Sequence, residues 1–165
     1  MKKSGYAAPP KPARKEFASV RIALVATRWN SGIVDALLGG ARAGLKDWGV
    51  TPDRIHEFRV PGAFEIPLAL EQLARTRRYD GAVALGAVIR GDTPHFDYVC
   101  RGCADGLLDV SLRHALPIGF GVLTVDTVAQ AAARTKPGKG NKGYEAASAM
   151  LEMVRFKRQA AEPAA

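Results

Sequence analysis

The stretch Leu85–Cys100, LGAVIRGDTPHFDYVC, constrains the fold more than any other part of the chain. An apolar run, Ala82–Ile89, follows the turn residues Tyr79-Asp80-Gly81. Such a run, bounded by turn residues, reads as a strand buried on both faces, as in a parallel sheet. The character then changes within one residue. Arg90–His95 is polar and turn-forming, and Phe96–Leu116 has a helical pattern. Strand, glycine-bearing polar loop and helix in succession is the unit with which open α/β sheets place ligands at the carboxyl ends of their strands. The loop leads to a helix N-terminus, whose free N–H groups suit a phosphate. It also carries one imidazole, His95. Taken alone, the loop reads equally well as a β–α connection with an incidental histidine.

The rest of the chain repeats this unit. A strand lies within Phe17–Thr27, and a helix over Gly32–Trp48 carries Ile33, Leu37, Ala41, Leu45 and Trp48 at helical spacing. Asn30 or Ser31 suits its N-cap, and Gly49 its end. A short strand, Arg54–Val60, meets the Pro61-Gly62 turn, and a helix then runs from Ala63 to about Thr76. After the helix that follows the central loop come a fourth strand, Ile118–Val125, and a short helix, Thr127–Ala133, capped by Thr124 or Asp126. The glycine- and proline-bearing break Arg134–Gly140 precedes a last helix, which runs from Asn141 or Lys142 to about Arg158. Strands alternating with helices predict a parallel sheet with helices on both faces. Neither G-x-G-x-x-G nor G-x-x-x-x-G-K-[ST] occurs, which disfavours ordinary dinucleotide or nucleoside-triphosphate binding.

The formal charge of +8 suggests nucleic acid until it is located. Lys2, Lys3, Lys11, Arg14 and Lys15 stand against Glu16 in the first sixteen residues, and Arg134, Lys136, Lys139 and Lys142 form a second cluster. These two groups account for the whole excess, so no basic face remains, and no nucleic-acid partner is expected. The local cluster suits a small phosphorylated ligand as well as it suits a solvated loop. No apolar h-region follows the first lysines, and no stretch is long enough to span a membrane, so a cytoplasmic protein is expected. Cys100 and Cys103 form a lone C-x-x-C inside a helical pattern; the reading favoured over a redox pair or half a metal site is a reduced, structural pair. Two further residues stay open at this stage. Trp29, at a strand end, either packs over the sheet edge or offers a platform to a planar ligand. Glu65, in a first helical turn, either compensates the helix dipole or accepts hydrogen bonds from ligand hydroxyls.

Six segments taken together resemble one family. They are Arg28-Trp29-Asn30, Val60–Pro67 (VPGAFEIP), Leu85–Cys100, Phe120–Thr124 (FGVLT), Gln130–Arg134 (QAAAR) and Asn141–Ala147 (NKGYEAA). Their order and spacing are similar to those of the 6,7-dimethyl-8-ribityllumazine synthases, over residues 19 to about 158. The resemblance implies a three-layer αβα, flavodoxin-like domain over residues 17–158 with a four-stranded parallel sheet. A flexible basic arm or added strand (residues 1–16) would precede it, and a frayed tail (159–165) would follow. It implies a cofactor-free transferase of riboflavin biosynthesis. The enzyme condenses 5-amino-6-(D-ribitylamino)uracil with 3,4-dihydroxy-2-butanone 4-phosphate, releasing phosphate and water.

The roles that the resemblance implies can be carried to this chain residue by residue. Trp29 would stack on the pyrimidinedione, where many relatives carry phenylalanine. Ala63, Phe64 and Glu65 would line the uracil and ribityl chain, and Ala87, Val88 and Ile89 would offer backbone groups to the ring. Asp92 and Thr93 occupy the phosphate-loop positions; Asp92 departs in charge from the small residues usual there, so its N–H rather than its carboxylate would face the phosphate. Arg134 would clamp the phosphate with Lys142 nearby, and His95 would transfer protons. Phe120 and Arg134 would come from the neighbouring subunit of a pentamer. In some members twelve pentamers close a shell, which the length of Arg134–Gly143 favours and its wording does not. Association with riboflavin synthase belongs to the same expectation. Three rivals stand beside it: a non-catalytic riboflavin- or lumazine-binding relative, an electron-transfer or signalling domain of flavodoxin type, and a nucleic-acid binder acting through the arm.

Overall fold

The computed structural model describes residues 7–163, so the first six residues of the expected arm and the last two of the chain lie outside the described residues. Four strands, β1 (Ile22–Thr27), β2 (Ile55–Val60), β3 (Gly81–Ile89) and β4 (Ile118–Val125), form one parallel sheet in the order β2-β1-β3-β4. Five helices connect and follow them: α1 (Ser31–Asp47), α2 (Ile66–Arg75), α3 (His95–His114), α4 (Val128–Ala133) and α5 (Lys142–Ala161). One-turn 3-10 segments at Pro52–Arg54 and Ala63–Glu65 precede β2 and α2. This is the expected α/β sheet with helices on both faces.

Alternation along the strands explains the three layers. Ile22, Leu24 and Ala26 of β1 and Val83 and Leu85 of β3 pack with α1 and α5. The intervening Ala23, Val25, Ala82 and Ala84 pack with α2 and α3. Successive side chains of a strand point to opposite faces, so a strand buried on both sides must be apolar throughout. All six residues of β1 are buried accordingly.

The chain leaves β1 toward β2 and then returns past β1 to β3. This reversal puts the ligand crevice of an open sheet at the carboxyl ends of β1 and β3. The register sharpens the crevice. β3 pairs with β1 only as far as Ala26↔Leu85, but with β4 as far as Ile89↔Val125. The edge of β3 beyond Leu85 is therefore unpaired on the β1 side.

Several boundaries differ from the sequence expectation. Phe17 is outside the first strand: residues 14–19 form turns, and Phe17 is fully buried against Trp48, with ring centroids 5.4 Å apart. The Arg155 guanidinium lies over both rings and binds Glu16 through two contacts, of 2.6 and 3.1 Å. This holds the Glu16 carboxyl below its ordinary value. The last helix continues past Arg158 to Ala161, and Arg158 donates to the Glu16 carbonyl. Thr127, rather than Thr124 or Asp126, caps α4, in a reciprocal box with Gln130.

Asn141, only 2% exposed, caps α5 and donates to the carbonyls of Ala36 and Thr135. It ties the basic loop to α1, and α5 approaches α1 so closely that a Cβ on Gly143 would collide with the Leu37 carbonyl oxygen. Gly143→Ala is therefore expected to destabilise the protein by about 1–3 kcal/mol, the usual cost of overpacking. A melting temperature equal to that of the unmodified protein would contradict this close approach.

Among the described residues no helix is long and apolar enough to cross a membrane. Cys103 is fully buried in the α2–α3 core, and burial pushes its thiol up to about 12. Cys100 is shifted in the same direction by burial and by Asp97. Both are free thiols of low reactivity, packed as small apolar groups.

Candidate functional site

A cleft of about 610 Å³ opens at the predicted crevice. Its walls come from the ends of three strands and from the start of α3: Trp29 and Asn30 after β1, Gly62–Glu65 after β2, Ala87–Ile89 of β3, and His95, Tyr98 and Val99 of α3. Eight of the residues singled out from the sequence thus meet in one place: Trp29, Ala63, Phe64, Glu65, Ala87, Val88, Ile89 and His95.

Each wall has a local cause. The backbone after β1 is held to the β2 end, with Arg28 N–H donating to the Val60 carbonyl and Trp29 N–H to the Pro61 carbonyl. The indole of Trp29 is 73% exposed and lies beside Gly62, where a Cβ would come within 3.3 Å of it. Trp29 thus presents an aromatic face to the cleft instead of burying it over the sheet. Glu65 Oε2 accepts from the Gly62 N–H at 2.9 Å, fixing the carboxylate at the cleft. Oε1 has no protein partner among the described residues, so capping the turn and binding a ligand hydroxyl are compatible. Phe64 is exposed and sits over Gly102 of α3, where a Cβ would strike its ring.

Asn30 takes the N-cap position of α1 that the sequence suggests. It adopts the left-handed conformation (φ 56°) that Asn tolerates, and its side chain makes no cap hydrogen bond. Instead Nδ2 donates to the Ala87 carbonyl at 2.9 Å. In a strand, the N–H and C=O of one residue point to the same side, and the side alternates from residue to residue. The Ala87 and Ile89 peptide groups therefore face the cleft, while those of Val88 and Arg90 face β4. The Arg90 N–H donates to the Val125 carbonyl in agreement. Val88 lines the cleft with its side chain. Tyr98 and Val99 were missed, although their helical spacing of three and four from His95 was a readable signal.

The loop residues are simpler. Thr93 Oγ1 accepts from the His95 N–H at 3.4 Å, and Asp92 has no hydrogen bond or ion pair among the described residues. Both are exposed.

Arg134 and Lys142 lie elsewhere, and Phe120 lies between, sharing a groove with Pro94 and with Asp97 and Tyr98 of α3. All three line a groove of about 560 Å³ along the free edge of β4, with Met153 and other α5 residues on its far wall. Here the basic loop closes on itself. The Lys142 N–H donates to the Arg134 carbonyl at 2.9 Å, and both residues line the groove. Arg134 makes one side-chain hydrogen bond, to the Gln130 carbonyl, and no carboxylate pairs with it among the described residues. Lys142 is bound to Glu145 at 2.7 Å, so its charge is shared. Phe120 is 51% exposed. One chain thus carries an aromatic, imidazole-bearing cleft on one surface and a cationic groove on another.

The model of the family described as 6,7-dimethyl-8-ribityllumazine synthase matches residues 19–158. A relative from Desulfovibrio desulfuricans, named 6,7-dimethyl-8-ribityllumazine synthase, is 50% identical over 140 residues, covering 85% of this chain and 90% of that protein. A match of this extent, with the fold and the cleft in place, means that the chain belongs to the 6,7-dimethyl-8-ribityllumazine synthase family.

Proposed function

We propose that the cleft binds 5-amino-6-(D-ribitylamino)uracil and that the β4 groove of an adjoining subunit closes over it, bringing the clamp for 3,4-dihydroxy-2-butanone 4-phosphate. The observation that carries this reading is the separation of the two half-sites on one chain. The activity is that of a transferase of riboflavin biosynthesis, in which the two substrates condense to 6,7-dimethyl-8-ribityllumazine.

The chemistry needs a surface for a planar ring, an anion site and a proton carrier. Trp29 supplies the first, with the free edge of β3 at Ala87 and Ile89 reading the ring through peptide groups. Glu65 Oε1 accepts from the ribityl hydroxyls. Arg134 binds the phosphate as a charged donor, Lys142 adds part of a charge, and the N–H groups of Asp92 and Thr93 complete the anion site. The amine of one substrate attacks the carbonyl of the other and water leaves. Phosphate is then eliminated, and ring closure expels the second oxygen as water. His95 carries protons in these steps, as the imidazole lining the cleft. With so few reactive groups, much of the acceleration comes from holding two reactants together.

Two complementary surfaces on one chain make a head-to-tail contact, which closes into a ring when the rotation permits. The exposed apolar residues fit such a contact: Leu108 and Leu112 along α3, Val128 and Met153 near β4, and Tyr98 and Phe120 in a groove between them. We take the ring to be a pentamer. The test is to mix both substrates with the protein in a sedimentation cell and follow lumazine fluorescence with the boundary. Fluorescence should form with the pentamer or with a shell of pentamers. Turnover by a monomeric boundary would refute the shared site.

A further inference from the structure

We propose that Arg90 is a positioning residue for His95, a clamp that holds the first turn of α3 against the end of β4. The inference rests on the reading of His95 as the proton carrier.

Arg90 is the first residue beyond β3, and its backbone is already fixed to β4 through the Val125 carbonyl at 2.9 Å. Its side chain reaches in two directions. Nε donates to Asp126 Oδ1 at 2.8 Å, at the end of β4, and Nη1 approaches Asp97 Oδ1 at 3.5 Å. The guanidinium carbon lies 4.2 Å from the centroid of the Phe96 ring. Phe96 and Asp97 are the two residues that follow His95, so one planar cation touches both of its successors.

Among the described residues the loop from Gly91 to Pro94 has few other ties, the Pro94 carbonyl accepting from the Asp97 N–H at 2.9 Å. Gly91 has no atom within 4 Å of the position of a Cβ, and Asp92 has no partner among the described residues. Among the described residues, the one side-chain hydrogen bond from within the loop to the helix start is the weak one from His95 N–H to Thr93 Oγ1. A planar guanidinium is suited to the task, because its fork reaches two carboxylates while its face covers a ring, which an ammonium cannot reproduce. The three charges of the clamp are exposed, with side chains 46% (Arg90), 61% (Asp97) and 63% (Asp126) exposed. Exposed ion pairs add little to folding stability. Their consequence here is geometric: the imidazole sits on a turn whose position Arg90 sets, and small displacements of a reacting group are costly in rate.

The test is a double-mutant cycle of Arg90→Gln with His95→Ala, read as the single-turnover rate of lumazine formation. Arg90→Gln should lower that rate by about tenfold or more in the parent protein, yet by less than about twofold in the His95→Ala background, since a displaced imidazole matters only where there is one. Arg90→Lys should recover only part of the rate. An equal loss in both backgrounds would overturn the proposal, by making Arg90 a general support of the loop. No loss in the parent would overturn it as well. If His95→Ala itself proved as fast as the parent, the reading of His95 would fail first and the clamp with it. Should Arg90→Gln fail to assemble, Asp97→Asn, which removes one arm of the clamp, takes its place in the same cycle.

Discussion

Arg134→Ala is expected to lower kcat/KM for 3,4-dihydroxy-2-butanone 4-phosphate by about 10²–10³-fold, chiefly through KM, the cost of removing one partner from a desolvated charge pair. The size follows from what surrounds Arg134. The loop closure between the Arg134 carbonyl and Lys142 N–H holds it in place, and Asn141 pins the loop to α1. Its guanidinium spends one N–H on the Gln130 carbonyl, leaving the remaining donors for a ligand. Lys142 is poorly placed to replace it, being bound to Glu145. Steady-state kinetics with each substrate varied in turn would check this. Saturation by the phosphate-bearing substrate at unaltered concentrations would remove Arg134 from the anion site. A loss confined to the uracil substrate would do the same.

His95→Ala is expected to cost about 10²–10⁴-fold in kcat, the range for one general acid–base group. Substrate binding should survive, since Trp29, Glu65 and the β3 edge form the ring site without the imidazole. Titrating the uracil substrate into the variant and following quenching of the tryptophan fluorescence would show this. Turnover abolished altogether, with binding intact, would demand a role for His95 beyond proton transfer. Turnover unchanged would assign the proton transfers to water and to the substrates themselves.

Much of this architecture was legible in the residues. Three of the four strands, β1, β3 and β4, are largely apolar runs, and the alternation of strands with helices predicts a parallel sheet whose ligand edge is at the strand ends. The cleft residues cluster for the same reason: each lies at or after the carboxyl end of a strand, and all strands point one way. What was not legible depends on register and on distant partners. The edge of β3 is open beyond Leu85 because β1 is shorter, a difference that no local pattern encodes. Asn30 reads as a helix cap, and its bond to the Ala87 carbonyl, remote in sequence, emerges only in the fold. The strand within Phe17–Thr27 is narrowed to Ile22–Thr27 only by the structure, where Phe17 packs on Trp48 and the Arg155–Glu16 contact lies beside it. Arg90 looks like a loop cation. Its meaning emerges only when Asp126 and Asp97 are brought to either side of it.

The central claim is that one site is assembled from two chains, and complementation tests it most directly. The Trp29→Ala/His95→Ala double variant lacks function in the cleft, and Arg134→Ala lacks it in the groove. Each parent, assembled alone, should retain less than about one hundredth of the normal rate. Co-expressed in equal amounts and purified as mixed rings, they should recover about a quarter of the normal rate per site, because random placement around a ring pairs an intact cleft with an intact groove at that frequency. A mixture no faster than its better parent would contradict the account, since cleft and groove would then have to serve the site within one chain.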